Sequence, residues 1–338
     1  MEVFFLDVAQ GSSQVVLLGG RRAIVIDCGG RSGGTILHFL KRMNIDFLDG
    51  LLVSHSHDDH MGGAAAVLGE YRDRIERIGF VQDHQFLESN FWARLSDFYS
   101  QGVISKKNIV RLELSEQPQP FWSDLTLGAE LSVWSPDAME NLQAQIKQDQ
   151  NPTSAVLVLE RDGRRVVFAA DSDLSQWREI HRRHGQVDCD AFSVPHHGGR
   201  FFGSQQELDW FFDQAISSQV AIISVGTSNT HGHPREEVVK ALTKRGTVVA
   251  CTQFTRQCNG GVYDLEFLRP GVLQPQLHPC QSSGSADLTD RGNSRNLACA
   301  GTIKLEFTAG GFVYDRLLDH QRSVDLLKST GNACPLCR

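Results

Sequence analysis

The sequence predicts a layered α/β domain. Short apolar, β-branched runs of strand length alternate along the chain with stretches whose apolar residues recur at helical spacing, the pattern that builds helix layers against sheets. At 338 residues there is enough chain for one large core, with room for a small second module. A content of 41% hydrophobic and 22% charged residues excludes disordered and collagen-like classes. No apolar run nears the roughly 20 residues that cross a bilayer, so no membrane association is expected.

Taken in order, residues 3–6, 15–18, 23–26 and 51–53 are apolar runs of strand length and read as buried strands. Residues 36–43, 64–71 and 87–99 read as helices, the last with Phe91, Trp92, Leu95 and Phe98 at the spacing of one core-facing stripe. Residues 154–159 and 165–169 form two strands around Asp162-Gly163, a strong hairpin dipeptide. Strands at 191–194, 220–225 and 247–251 then alternate with helices at 205–215 and 235–244. From 270 to 296 periodicity gives way to Pro, Gln, Ser, Gly and Asn, an inserted polar segment. Strands at 302–307 and 312–317 resume the pattern before a tail ending in Cys334-Pro335-Leu336-Cys337. The expected organisation is a core over 1–269, a polar insertion over 270–299, and terminal strands with their tail over 300–338.

A net charge of −7 gives no global positive field to gather nucleic acid, so any such contact must be local. The basic run 178–184 reads as the solvated face of a helix. The first residues lack a basic stretch followed by an apolar one, and a cytoplasmic location is expected. Of the eight cysteines only Cys28 and Cys189 precede residue 250. Without a secretion signal, the rest read as reduced thiols or metal ligands.

The chemistry concentrates in His55-Ser56-His57-Asp58-Asp59-His60, directly after an apolar strand. A strand end followed by a turn splays alternate side chains, so His55 and His57 can face one cation while Asp59 and His60 face another. Imidazoles with a carboxylate suit zinc, with manganese or iron as alternatives. A merely histidine-rich turn would leave many buried polar groups to satisfy without metal.

This His-x-His-x-Asp-His spacing resembles the signature of the metallo-β-lactamase superfamily. Ile24-Val25-Ile26-Asp27-Cys28-Gly29-Gly30 is similar to that superfamily's first motif, and Asp171, at a strand end, to its bridging carboxylate. The segments Asp7 to Ser13, Asn151 to Leu157, Val194-Pro195-His196-His197-Gly198-Gly199 and Ser224 to Pro234 resemble more narrowly the metallo-β-lactamase-like domain of ComEC-type competence proteins and the related phosphorylcholine esterases. The resemblance implies a four-layer αββα sandwich, here with a cysteine-containing C-terminal insertion, and two metal ions, zinc or manganese. By resemblance His55, His57 and Asp171 hold the first ion, and Asp59, His60, Asp171 and either His197 or His196 the second. Asp27 orients the metal loop, Asp7 supports it from outside the ligand shell, and His233 sits over the substrate. Asn151 and Ser154 stand where many relatives carry a further histidine, which implies a weak first site. Ala9 and Ser12 replace the glycine and aspartate usual in the opening motif.

Two cations can lower the pKa of a bridging water enough to supply hydroxide at neutral pH and stabilise charge on a phosphoryl or acyl oxygen. Asp59 and Asp171 would orient that hydroxide, with His196 and His233 binding a substrate oxygen or protonating the leaving group. The ComEC-type likeness implies a phosphodiesterase or nuclease, with single-stranded DNA as leading substrate. Two other functions remain open: hydrolysis of a small phosphoester or a peptide bond, and a zinc-stabilised regulatory or interaction protein with an unspecified protein partner. The latter draws on the cysteine-rich end, where Cys258, His278, Cys280 and Cys299 form a candidate structural zinc site.

Overall fold

The computed structural model describes residues 1–30, 33–83, 85–114, 120–147, 151–227, 229–259, 299–308 and 311–314, together with Asp325 and Cys337. The chain first lays down six strands, β1 (Glu2–Phe5), β2 (Gln14–Gly19), β3 (Arg22–Ile26), β4 (Phe47–Val53), β5 (Ile75–Phe80) and β6 (Ile109–Arg111). Helices α1 (Gly34–Arg42), α2 (Asp58–Met61), α3 (Ala64–Tyr71) and α4 (Asn90–Ser100) fall between them. The strands β7 (Trp122–Asp124), β8 (Ala129–Ser135), β9 (Val156–Arg161), β10 (Arg164–Phe168), β11 (Val187–Ser193), β12 (Ile216–Ile223) and β13 (Val248–Cys251) follow, with α5 (Ala138–Lys147), α6 (Leu174–His184), α7 (Gln205–Trp210) and α8 (Glu236–Lys244). Finally β14 (Ile303–Thr308) and β15 (Gly311–Tyr314) return to the first sheet, β14 pairing antiparallel with β1. The result is an eight-stranded sheet in the order β15-β14-β1-β2-β3-β4-β5-β6 and a seven-stranded one in the order β13-β12-β11-β10-β9-β8-β7.

The period-two alternation of strand side chains divides the apolar residues among three layers. Val3, Phe5, Ile24 and Ile26 from the first sheet meet Leu157, Leu159, Phe168 and Ile222 from the second in the central layer. Their neighbours Phe4, Val15, Val25 and Leu51 point the other way, against Phe39 of α1, Leu68 of α3 and the Phe91, Leu95, Phe98 stripe of α4. Across the second sheet, Val158, Val167, Phe192 and Ile223 pack on Trp177 of α6, Leu208 of α7 and Val238 and Leu242 of α8. Three apolar layers between two sheets and two helix sets make the expected four-layer αββα sandwich.

Several boundaries differ from the sequence pattern for local reasons. The helix expected over 87–99 starts later because Ser89 is its cap, its side chain accepting from the Trp92 amide. The helix over 205–215 ends at Trp210, and Phe211–Ala215 continue as a π-helical turn. Strands β5 to β8 escaped the sequence reading because Glu76, Arg77, Ser123 and Glu130 break their apolar runs. The basic run lies on α6 as a solvated face: Arg178 pairs with Glu207, Arg182 with Glu179, and Arg183 with Asp137. No helix among the described residues is long and apolar enough to cross a membrane. The polar segment 270–298, with His278 and Cys280, lies outside the described residues, as does Cys334.

Candidate metal centre

At the carboxyl ends of β3, β4 and β10 the chain leaves the sheets, and the candidate residues meet there. His55 and His57 come from the extended segment after β4, and the single turn of α2 carries Asp59 and His60. Backbone bonds pin this loop: the Ser12 amide donates to the Asp59 carbonyl at 2.8 Å and the Cys28 amide to the His60 carbonyl at 2.6 Å. Gly29 lets the strands come this close, because a Cβ there would collide with the Asp59 carbonyl and the Ser12 backbone. Asp83 at the end of β5 holds the far side, accepting the Ser56 amide at 3.0 Å.

Asp27 orients the loop from within. Its carboxylate accepts the Ser54 amide at 2.7 Å, the Ser54 hydroxyl at 2.8 Å and the Nδ1–H of His60 at 2.6 Å. That bond turns His60 Nε2 toward Asp171 Oδ1, 3.1 Å away. His197 is fixed in the same manner, its Nδ1–H donating to the Ser224 carbonyl at 2.8 Å. Its Nε2 then lies 3.3 Å from Asp59 Oδ2 and 3.6 Å from Asp171 Oδ1. The other oxygen of Asp171 is 3.8 Å from His55 Nε2 and 4.0 Å from His196 Nε2. Two ligand sets result, His55, His57 and Asp171 in one and Asp59, His60 and His197 in the other, the atoms of each set lying within 4.8 Å of one another. Of the adjacent pair, His197 therefore joins a ligand set and His196 faces Asp171 from the cleft side.

These residues fit a pair of divalent cations. His55 Nε2 is buried without a hydrogen-bond partner, an orientation a cation would satisfy. Burial pulls the His55 pKa well below the imidazole range, leaving it the neutral form that binds metal. For His60, burial opposes protonation, but the carboxylates of Asp171 and Asp27 outweigh it and hold its pKa well above the usual value. Burial acts to raise Asp171, and His60 and His197 overcome it, keeping its carboxyl well below the carboxylate range. The first set carries two imidazoles and Asp171; Asn151 lines the cleft beside Asp171, and the Ala155 amide donates to the Ser54 carbonyl, next to His55, at 3.0 Å. Backbone strain gathers here too, with Asp27, Ala170, His196 and His197 all at positive φ, between 45° and 56°.

His233 packs beside His196, its ring centroid 5.4 Å from that of His196. Asn229 holds it from both sides, accepting its amide at 3.0 Å and donating to its carbonyl at 3.1 Å. Burial and then the neighbouring His197 and His196 pull its pKa down to about 3, so the ring is neutral at neutral pH. Asp7 stands apart from the ligand sets: it accepts the Ala9 amide and, at 2.7 Å, the Gln253 side chain, whose own oxygen accepts from Thr227. This brace ties the opening loop to the one bearing His233. Gln253 carried no sequence signal, being one buried amide after a strand.

Beside Asp171 and His196 the surface opens into a cleft of about 370 Å³, lined also by Asn151, Asp173, Arg200 and Glu207. The carboxylates of Asp173 and Glu207 are occupied as helix caps. Arg200 is exposed and makes no ion pair among the described residues. At the β13 edge of the second sheet, Cys258 and Cys299 share one apolar cluster with Cys251, and Cys337 packs against it.

Two sheets enclosed by helices, with clustered histidine and aspartate ligands at the strand ends, define a metallo-hydrolase fold, and residues 7–199 match the metallo-beta-lactamase superfamily. The chain belongs to that superfamily, whose members are hydrolases. Among curated proteins it is similar to ComE operon protein 3 of Bacillus subtilis, 24% identical over 74% of this chain and 32% of the relative. It is also similar to Recombination protein 2 of Haemophilus influenzae, 24% identical over 76% of this chain and 28% of the relative. The chain thus spans about a third of the length of these two proteins. Among solved structures, zinc-bound PqqB from Methylobacterium extorquens aligns over 74% of this chain and 98% of its own, at 14% identity and a TM-score of 0.43.

Proposed function

We propose that the chain is a metal-dependent phosphodiesterase acting on a nucleic-acid backbone, with single-stranded DNA as the leading substrate. The observation that carries this reading is Asp171, whose two oxygens face the two ligand sets at once. His55, His57 and Asp171 would hold one cation, and Asp59, His60, His197 and Asp171 the other. Bound divalent cations would supply Lewis-acid activation of water and of a phosphoryl oxygen. The chain's own residues do the rest. Asp59, one-third exposed, accepts a hydrogen bond from the attacking water and orients it toward the cleft. The neutral His233 ring donates a hydrogen bond to a non-bridging oxygen, and His196 stands on the cleft side to meet the leaving group. Arg200 neutralises the adjacent phosphate, a role open to it because no carboxylate among the described residues pairs with it. The resemblance to competence and recombination proteins supports a DNA substrate. Cations in the site would supply the local positive charge that a chain of net charge −7 does not. The same reading carries the proposed organisation of core, polar insertion and terminal strands.

The test is cleavage of end-labelled single-stranded DNA by purified protein with zinc or manganese, beside Asp59→Ala and Asp171→Ala. Metal-dependent cleavage lost in both variants supports the phosphodiesterase. Metal-loaded protein that leaves DNA intact rejects it.

A further inference from the structure

Val225 to Thr227 and Asn229 lead from β12 to His233, and side chains from the segment after β13 hold them. The Thr252 hydroxyl accepts the Val225 amide at 2.9 Å and donates to the Val225 carbonyl at 3.0 Å. One residue on, the Gln253 side-chain oxygen accepts the Thr227 amide at 2.9 Å and the Thr227 hydroxyl at 3.1 Å. Two consecutive side chains therefore continue, at the alternate residues 225 and 227, the pairing that β12 and β13 make with their backbones. Asn229 donates to the Gly226 carbonyl at 2.8 Å and to the His233 carbonyl at 3.1 Å, so whatever fixes residues 226 and 227 also fixes His233.

Gln253 is fully buried, and its other end reaches the loop after β1, where its Nε2 donates to Asp7 Oδ1 at 2.7 Å. The same oxygen accepts the Ala9 amide at 3.1 Å. This opening loop also supports the metal ligands, since its Ser12 amide donates to the Asp59 carbonyl. Gly226 lies directly on it: the Gln10 side-chain oxygen accepts the Gly226 amide at 3.3 Å, and a Cβ on Gly226 would fall 2.6 Å from the Gln10 amide nitrogen. One buried amide is bonded at one end to the loop that pins Asp59 and at the other to the residues that carry His233. We propose that Gln253 is a positioning residue, setting the His233 ring relative to the metal ligands by joining Asp7 to Thr227. This rests on the phosphodiesterase reading for the part His233 plays in the reaction. An apolar side chain of like size would leave Asp7 Oδ1 and the Thr227 amide without the bond that couples them, and the two loops would be free to shift against each other.

Gln253→Leu and the milder Thr227→Val, each alone and each combined with His233→Gln, test this on single-stranded DNA and on bis(p-nitrophenyl) phosphate as a small phosphodiester. The expected kcat is about 10–100-fold lower in Gln253→Leu, the effect of a slightly misplaced group, with a smaller loss in Thr227→Val. Metal content should be unchanged, and neither substitution should lower kcat further in the His233→Gln background. Losses that multiply with that of His233→Gln, or metal lost together with activity, overturn the proposal, because Gln253 would then act on the ligand sets or on the fold at large. The ring signals of isotope-labelled histidine read the same coupling without substrate. The Cε1–H resonance missing from His233→Gln should move in Gln253→Leu, or in Thr227→Val if the first variant does not fold, while those of His55 and His57 stay in place. A His233 signal that does not move overturns the proposal whether or not DNA is cleaved. One that moves in a protein inert toward both phosphodiesters rejects the phosphodiesterase and leaves Gln253 as the residue that sets His233.

Discussion

At the residue scale, the site depends on side chains that aim other side chains. Asp27 spends both oxygens on Ser54 and His60. Asp27→Asn keeps the size but presents an amide where His60 Nδ1–H needs an acceptor. We expect metal affinity or turnover to fall about 10–100-fold, the usual effect of losing an outer-shell partner, with little change in melting temperature. Unchanged affinity and turnover would remove Asp27 from this role. Gly199 makes a different contribution: a Cβ there would strike the His233 ring. Gly199→Ala should therefore lower turnover while metal content, read by elemental analysis, stays at the unaltered level; retained turnover would take His233 out of the reaction. The depressed pKa of His233, about 3, also has a sign. Unfolded histidine takes up a proton near pH 6.5 and the folded one does not, so stability present above about pH 6.5 is lost as pH falls toward 3. His233→Gln should lose less melting temperature than the unaltered protein across that range; parallel curves would contradict the assignment.

At the scale of elements, the alternation of strand side chains and the stripes of the helices set the layers. Trp177 on α6 is fully buried among Val167, Phe192 and Phe211. Trp177→Ala should destabilise the fold by about 3–5 kcal/mol in denaturant unfolding, and a loss below about 1 kcal/mol would mean the outer layer is not packed as described. The apolar stretches 23–26 of β3, 51–53 of β4 and 220–223 of β12 were legible in the sequence because burial on both faces leaves no polar residue there, whereas the first halves of β4 and β12 were not, since Asp49 and Ser217 to Gln219 interrupt the run. Strands β5 to β8 were not, since charged and serine residues at their exposed faces break the run. The helical stripe of α4 was legible, but its start was set by Ser89, a choice a periodicity alone does not make.

At the scale of the whole molecule, the site is assembled from points far apart in sequence: Asp27, the loop after β4, Asp171, His197 and His233. The dense cluster of residues 55–60 was legible because four ligands in six positions have few other uses. The partner of each was not. Only the fold turns His197 rather than His196 inward, through the Ser224 carbonyl, and only the fold brings Gln253 to Asp7. The positive φ of Ala170, His196 and His197 likewise has no local sequence signal, since these are not the residues that favour such backbone. The central claim is that two cations share Asp171. Anomalous diffraction from zinc-soaked crystals at the zinc edge tests it most directly. The account predicts two adjacent peaks, one against His55 and His57 and one against Asp59, His60 and His197, with Asp171 between them. A single peak that leaves either set of ligands without metal would contradict it.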